Sequence, residues 1–169
     1  GAAGCFLEDQ VWPKRCGHMR DKGVVECGEY LERIRAAVEA RGEHDFFIVA
    51  RSDAEAVIGL DEAIGRVSAA HALGADACFV EAPGSVEQLA EIGRRTPGPR
   101  VANMIEGGKT PLLPKQQLAK LGFQLILYPL TGLFGAAAAM HQLCTKLMAD
   151  GTSAGAEDQL MDFASFNEL

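Results

Sequence analysis

The chain has 169 residues, 48% apolar, 23% charged and 7% aromatic, and 16 Lys and Arg against 23 Asp and Glu leave a formal charge of −7. That composition is too apolar and too weakly charged for a disordered chain, and a net acidic surface argues against nucleic acid as a partner, which needs clustered Lys and Arg. No apolar run approaches the ~20 residues of a bilayer span, so no membrane partner is expected.

The chain opens on Gly1-Ala2-Ala3-Gly4 with no basic leader region, and enters an apolar run at once, as if partway through a fold. Cys5-Phe6-Leu7 reads as a strand ending in Glu8 and Asp9. Tyr30, Leu31, Ile34 and Val38 then recur at helical spacing, with Gly42 at the position of a closing glycine. The strand Phe46 to Ala50 runs into Arg51, Ser52 and Asp53. A helix carrying Ile64, Val67, Ala70 and Leu73 closes at Gly74. Ala77 to Val80 leads into Glu81, and Ser85 to Gln88 forms a capping box for the next helix. Val101-Ala102 leads into Asn103. Pro114 fits the first turn of a helix that Gly122 closes. Leu125 to Leu127 leads into Tyr128 and, just beyond, Thr131. An Ala-rich helix from Phe134 to Met148 stops near Gly151.

The runs are apolar throughout, as expected of parallel strands buried on both faces, and strand and helix alternate five times. Each strand ends in polar residues able to do chemistry. That pattern favours a (β/α)8 TIM barrel, whose site is assembled from the carboxyl ends of several strands, over an open sheet with one switch point. Five such units fit within 1–150.

Several features resemble sites and are set aside. Gly107-Gly108-Lys109-Thr110 lacks the earlier glycine of a P-loop, position 103 being Asn, and Pro111 stands where the helix would begin. No G-x-G-x-x-G occurs. The five cysteines are odd in number and no two lie within ten residues, so neither a zinc ribbon nor a disulfide framework is signalled, and a reduced, cytoplasmic compartment is expected. His44, His71 and His141 read as solvated or structural. Cys5, Cys78 and Cys144 read as small core residues, and Met140, Leu143 and Met148 as helix packing.

The loop Lys14-Arg15-Cys16-Gly17-His18 does look chemical. A thiol flanked by cations and a histidine is more easily ionised, and its use as nucleophile or proton donor depends on geometry.

This loop, with Gly4 to Gln10, Ala50-Arg51-Ser52-Asp53-Ala54, Gly59 to Ala63, Gly74-Ala75-Asp76, Phe79 to Pro83, Asn103 to Pro111 and Tyr128 to Thr131, resembles the isocitrate lyase/phosphoenolpyruvate mutase superfamily in order along nearly the whole chain. The resemblance implies a Mg²⁺-dependent barrel, with Mn²⁺ as an alternative ion, acting on a small keto or hydroxy carboxylate. The K-[KR]-C-G-H loop marks its carbon–carbon lyases. Cys16 would then be the acid that protonates a departing succinate-like carbanion, supported by Lys14 and His18. Gly17 would offer a backbone N–H, and Arg51, Glu81, Asn103 and Thr131 would bind substrate. Glu8 would hold the metal through water.

Asn103 to Pro111 is more similar to the dimethylmalate lyase and petal death protein-like branch than to methylisocitrate lyases. Ser52 stands where the family more usually has Thr, keeping the hydroxyl. The implied reaction gives pyruvate or a related keto acid plus a succinate-like acid, in a homotetrameric parent. Alternatives are a carboxyvinyl-carboxyphosphonate phosphorylmutase or oxaloacetate decarboxylase type activity.

A whole barrel needs ~250 residues and eight strands. The resemblance makes 1–150 a partial barrel covering about the last five βα units and 151–169 a linker and the start of a C-terminal helical segment, and it places the direct metal ligands, aspartates in a D-x-D arrangement, upstream of Gly1. Two readings result: an enzyme of which this is a part, inactive by itself, or a non-catalytic barrel piece that assembles through its sheet edge.

Overall fold

A computed structural model describes residues 1–17 and 21–168. The expected alternation is present. Strands β1 (Gly4–Glu8), β2 (Phe47–Ser52), β3 (Ala77–Val80), β4 (Val101–Asn103) and β5 (Leu125–Leu127) are separated by helices α1 (Cys27–Arg41), α2 (Glu55–Ile58) with α3 (Leu60–Ala72), α4 (Val86–Arg95) and α5 (Lys115–Lys120). β1, β2 and β3 pair in parallel, as do β4 and β5. A parallel bridge between Cys78 and Arg100, with the Cys78 N–H on the Pro99 carbonyl at 2.9 Å, joins the two groups. The strands thus follow one another in sequence order, as in a barrel wall and unlike the reversed order of a doubly wound sheet. Among the described residues the wall does not close: β1 pairs only with β2, and β5 only with β4.

Alternation along the strands divides the wall into two faces, because successive side chains point to opposite sides. On one face Ile48 and Ala50 pack with Tyr30, Ile34 and Ala70 of α1 and α3. On the same side, Cys78, Val80 and Ala102 pack with Ile64, Val67, Leu89, Ile92 and Leu118 of α3, α4 and α5. On the other face Val49, Phe79 and Val101 form a small cluster with Leu127. Phe6 meets Phe79 edge to face, with ring centroids 5.9 Å apart.

β3 is buried at all four positions, as an apolar-throughout strand should be. β1 and β5 are only partly buried, against expectation, because each lies at an end of the wall with one neighbour.

Local signals mostly hold, with shifts at the ends. Gly42, Gly74, Gly122 and Gly151 all follow helices with positive φ. Ser85 caps α4 by accepting the Gln88 N–H at 3.2 Å, but the Gln88 side chain turns to the Gly84 N–H instead of completing the box on Ser85. Pro114 is the N-cap of α5, one position ahead of its first turn, and its carbonyl accepts from Gln117 and Leu118.

Internal contacts divide the chain into Gly1–Pro129 and Leu130–Leu169. The second unit consists of α6 (Thr131–Asp150), a 3-10 turn (Glu157–Gln159) and α7 (Phe163–Asn167), whose N-cap Asp162 accepts from Ala164 and Ser165. α6 begins three residues before the expected Phe134. Cys144, Met140 and Met148 on it are exposed, against the expected core roles, since none of its residues is buried. Cys5 is half-buried for the same reason as the rest of β1, whereas Cys78 is buried as expected. Among the described residues no helix is long and apolar enough to cross a membrane.

Candidate active site

The parity that sends Ile48 and Ala50 to the helices sends the strand-end polar groups the other way. Phe6 and Glu8, Val49 and Arg51, Phe79 and Glu81, and Val101 and Asn103 each stand two residues apart, so Glu8, Arg51, Glu81 and Asn103 rise from one face at the carboxyl ends of adjacent strands. Glu8 and Arg51 are register partners. The Arg51 guanidinium lies over the Phe79 ring, 5.3 Å from its centroid.

Arg51 is the hub. Its Nε donates to Asp53 Oδ2 at 2.9 Å and its Nη2 to Asp53 Oδ1 at 3.1 Å, a two-point fork. Nε also lies 3.3 Å from Glu8 Oε2, and Nη2 3.8 Å from Glu81 Oε1. Burial pulls the guanidinium's pKa down. The Asp53 hydrogen bond and the charges of Glu81, Asp53 and Glu8 outweigh that and hold it above its ordinary value. The fork is therefore a fixed cation at any working pH.

Glu81 is 1% exposed. Asn103 Nδ2 donates to both its oxygens, at 3.2 and 3.4 Å, which orients the amide and turns Oδ1 away from the carboxylate. That Oδ1 is buried and has no hydrogen-bond donor among the described residues. A buried carbonyl oxygen without a donor is costly, by about 1–3 kcal/mol, unless a ligand or water supplies the hydrogen. Directly after Glu81, Ala82 holds φ of 54°, a left-handed conformation unusual for a residue with a Cβ. The strand is bent away at the point where Glu81 must face the site.

The loop after β1 is tied down over this cluster. Val25 N–H bonds to Asp9 O at 2.8 Å and Val11 N–H to Gly23 O at 3.0 Å, closing its base. Lys14 Nζ reaches Glu8 Oε1 at 2.8 Å. Gly17 is buried against Glu81, leaving no room for a Cβ. Cys16, between them, is exposed.

Of the residues expected from the sequence, Glu8, Lys14, Arg51, Glu81, Asn103 and Gly17 are thus brought together, with Cys16 beside them. His18 lies outside the described residues. Thr131 opens α6 in the second unit.

Asp9 departs from expectation. Grouped with Glu8 as a strand-end acid, it faces the opposite way and is fully buried. Its oxygens accept from Ser52 Oγ at 2.6 Å, the Asp53 N–H at 2.8 Å and Arg66 Nη1 at 3.2 Å. It braces the turn that presents Arg51 and Asp53. Asp53 is expected as a strand-end polar group without a role of its own, and Lys22 and Gln10 are not singled out by sequence, yet all three touch the cluster or its loop. Only the placement of Asp53 two residues after Arg51 could have signalled one of them.

As a metal centre the set is incomplete. Among the described residues no three His, Cys, Asp or Glu side chains come together to hold an ion. Glu8 is a single carboxylate already shared by Lys14 and Arg51, which suits an outer contact through water and not a complete site.

The phosphoenolpyruvate phosphomutase family model matches residues 1–148, the stretch that carries the wall of strands, the Arg51 cluster and the Cys16 loop. The chain belongs to this phosphomutase family. Over 169 aligned residues it is 50% identical to the petal death protein of Dianthus caryophyllus, covering 100% of this chain and 53% of that protein. It is 43% identical to the 2,3-dimethylmalate lyase of Eubacterium barkeri, covering 100% and 58%. A solved oxaloacetate acetylhydrolase bound to 3,3-difluorooxalacetate superposes with a TM-score of 0.91 at 35% identity, over 98% of this chain and 56% of that one. A phosphonopyruvate hydrolase complex with oxalate and Mg²⁺ superposes at 0.81 with 25% identity, over 99% and 58%. The chain therefore spans a little over half the length of these relatives.

Proposed function

We propose that the protein carrying this sequence is a carbon–carbon lyase that cleaves a 2-hydroxy di- or tricarboxylate of the 2-methylisocitrate or dimethylmalate type. The products are pyruvate or a related 2-keto acid together with a succinate-like acid from the tricarboxylate or a propionate-like monoacid from the dicarboxylate. The observation that carries this reading is the loop geometry: Gly17 lies against Glu81 beside the Arg51 fork, so its neighbour Cys16 stands at the rim of a carboxylate-binding cluster. Arg51 suits a substrate carboxylate because the Asp53 fork orients a guanidinium that carries more N–H donors than that fork uses. Asn103 Oδ1, buried and without a donor, suits a substrate hydroxyl or water. As the carbon–carbon bond breaks, the 2-hydroxyl gives up its proton to solvent and becomes the keto oxygen, and the bond's electron pair passes to the carbon of the departing acid fragment. Cys16 gives that carbon its proton, with Lys14 and His18 supporting the thiol and the Gly17 N–H and Thr131 contributing to substrate binding.

The cofactor that goes with this reading is Mg²⁺, with Mn²⁺ as the substitute. It is supported by the Mg²⁺-bound phosphonopyruvate hydrolase structure. The share of this chain is Glu8, acting through water. The residues described do not by themselves complete a metal site. A homotetrameric assembly and a cytoplasmic setting complete the proposal. The runner-up, a phosphorylmutase or an oxaloacetate-cleaving activity, draws on the same binding cluster and on the acetylhydrolase likeness.

The test is a substrate panel on the complete protein with Mg²⁺, following keto-acid release. Release from 2-methylisocitrate or 2,3-dimethylmalate, abolished in Cys16→Ser, is the expected result. Turnover of oxaloacetate or a phosphonate alone, or undiminished turnover in Cys16→Ser, overturns the reading. The 169 residues by themselves are expected to show no lyase activity.

A further inference from the structure

Lys22 is a loop lysine with a side chain only 2% exposed. Taking an ammonium out of water costs several kcal/mol unless charge and hydrogen bonds compensate, so its partners define its role. There are two. Its Nζ donates to the Gly17 carbonyl, and it lies 3.4 Å from Asp53 Oδ1, the carboxylate that Arg51 forks. Lys22 thus joins the Cys16 loop to the buried strand end that carries the binding arginine.

A second tie acts on the other side of the thiol. Gln10, 3% exposed, pairs with the Arg15 backbone in both directions: Nε2 donates to the Arg15 carbonyl at 2.8 Å, and Oε1 accepts the Arg15 N–H at 2.9 Å. A side-chain amide that matches one residue's donor and acceptor together fixes that peptide's orientation as a strand neighbour would. The residues immediately before and after Cys16 are therefore each held from below, one by Gln10 and one by Lys22, while the thiol between them is exposed. Gly17 permits the approach to Glu81, and Lys22 holds it.

We propose that Lys22 and Gln10 are positioning residues that dock the Cys16 loop on the Arg51–Asp53–Glu81 cluster and so fix where the thiol stands. The docking follows from the contacts alone. Its effect on turnover rests on the reading of Cys16 as the acid.

The experiment separates the two, using the complete protein and the variants Lys22→Met, Lys22→Arg and Gln10→Ala. Trypsin cleavage of the Arg15–Cys16 bond, followed by mass spectrometry, reports docking without reference to activity. Losing a charged or paired hydrogen bond should raise that cleavage rate about tenfold in Lys22→Met and several-fold in Gln10→Ala, with Lys22→Arg recovering part of the protection because it retains the charge. Keto-acid release should show a kcat lowered about tenfold with KM changed less than threefold, since the thiol is displaced while the arginine fork remains. Unchanged cleavage in both Lys22→Met and Gln10→Ala overturns the docking. Faster cleavage with undiminished kcat upholds the docking and overturns the acid role of Cys16. Should Lys22→Met fail to fold, as judged by its circular dichroism, the cleavage rate of Gln10→Ala decides the matter.

Discussion

Gly17 lies against Glu81 so closely that a Cβ placed on it would stand 2.6 Å from the Glu81 carboxyl carbon, and closer still to Cγ and Oε1. Non-bonded carbons do not approach within that distance, so any side chain at 17 must push the loop or the carboxylate aside.

Gly17→Ala tests that contact. Glu81 is held by Asn103 and sits at the rigid end of β3, so the loop is the part that gives way. The expected outcome is a kcat lowered about tenfold or more for the complete protein, since a displacement of about 1 Å can cost that much. The melting temperature should move by less than about 2 °C, because the loop contributes little to the packed core. A steady-state assay beside a thermal melt checks both. Wild-type kcat would show that the contact is incidental.

The Asp9–Arg66 pair should behave as structure and not as chemistry. Asp9 is fully buried and Arg66 4% exposed, and Arg66 Nη1 also donates to the Val25 carbonyl at 2.7 Å. Removing the cation in Arg66→Met leaves a buried carboxylate whose remaining hydrogen bonds among the described residues come from Ser52 and the Asp53 N–H. Urea unfolding should register a loss of about 3–5 kcal/mol, the range for breaking a buried pair from one side. A loss under about 1 kcal/mol would mean that water reaches Asp9.

That pair also marks where sequence reading stopped. The strand ends were legible because an apolar run breaking into Glu8, Arg51, Glu81 or Asn103 is a local signal, and two-residue parity then sets the face. Asp9 was legible as an acid but not as a brace, since its partner Arg66 is 57 residues away on α3. Gln10 was not legible because its partners are backbone groups of Arg15, which leave no mark on residue type, and Lys22 because it meets the Gly17 carbonyl and the Asp53 carboxylate, the latter 31 residues away. The Ala-rich α6 was legible as a helix, but its exposed Met140 and Met148 were not, since helical spacing identifies an apolar face and not what covers it.

Asn103 offers a direct probe of the binding cluster. Asn103→Asp replaces the donor 3.2 Å from Glu81 Oε1 with a second carboxylate, and like charges at that separation repel. The proposed substrate is itself a polycarboxylate, so added negative charge should raise KM about tenfold or more, with Asn103→Ala milder because it removes the contact without adding charge. The ordering of KM in the two variants is the decisive measurement. An Asp variant that binds as well as the Ala variant would place Asn103 away from the substrate.

Stability should fall in alkaline solution, and Cys78 supplies a reason. Burial pushes its thiol up to about 11, against a small opposing pull from the Arg100 charge. The buried thiol lies 3.4 Å from the Val67 carbonyl, a contact only the protonated form can make as donor. Burial, with help from the Asp9 charge, likewise raises the Tyr30 phenol. An unfolded thiol ionises near ~8.5. Below that pH both states keep the proton and this contribution is fully present. Above it the unfolded chain gives up a proton that the folded chain retains, so stability drains away up to about 11, with Tyr30 extending the decline from ~10 upward. Chemical denaturation at a series of pH values from 7 to 11 should show the midpoint falling from about 8.5. Cys78→Ala should flatten the first part of that fall, even though it lowers stability at pH 7 by opening a small cavity. At pH 8, alkylation of the native protein should label Cys16 and Cys144, both exposed, and leave Cys78 unlabelled until the chain unfolds. A slope identical in Cys78→Ala, or rapid labelling of Cys78 in the native state, would remove the thiol from the account.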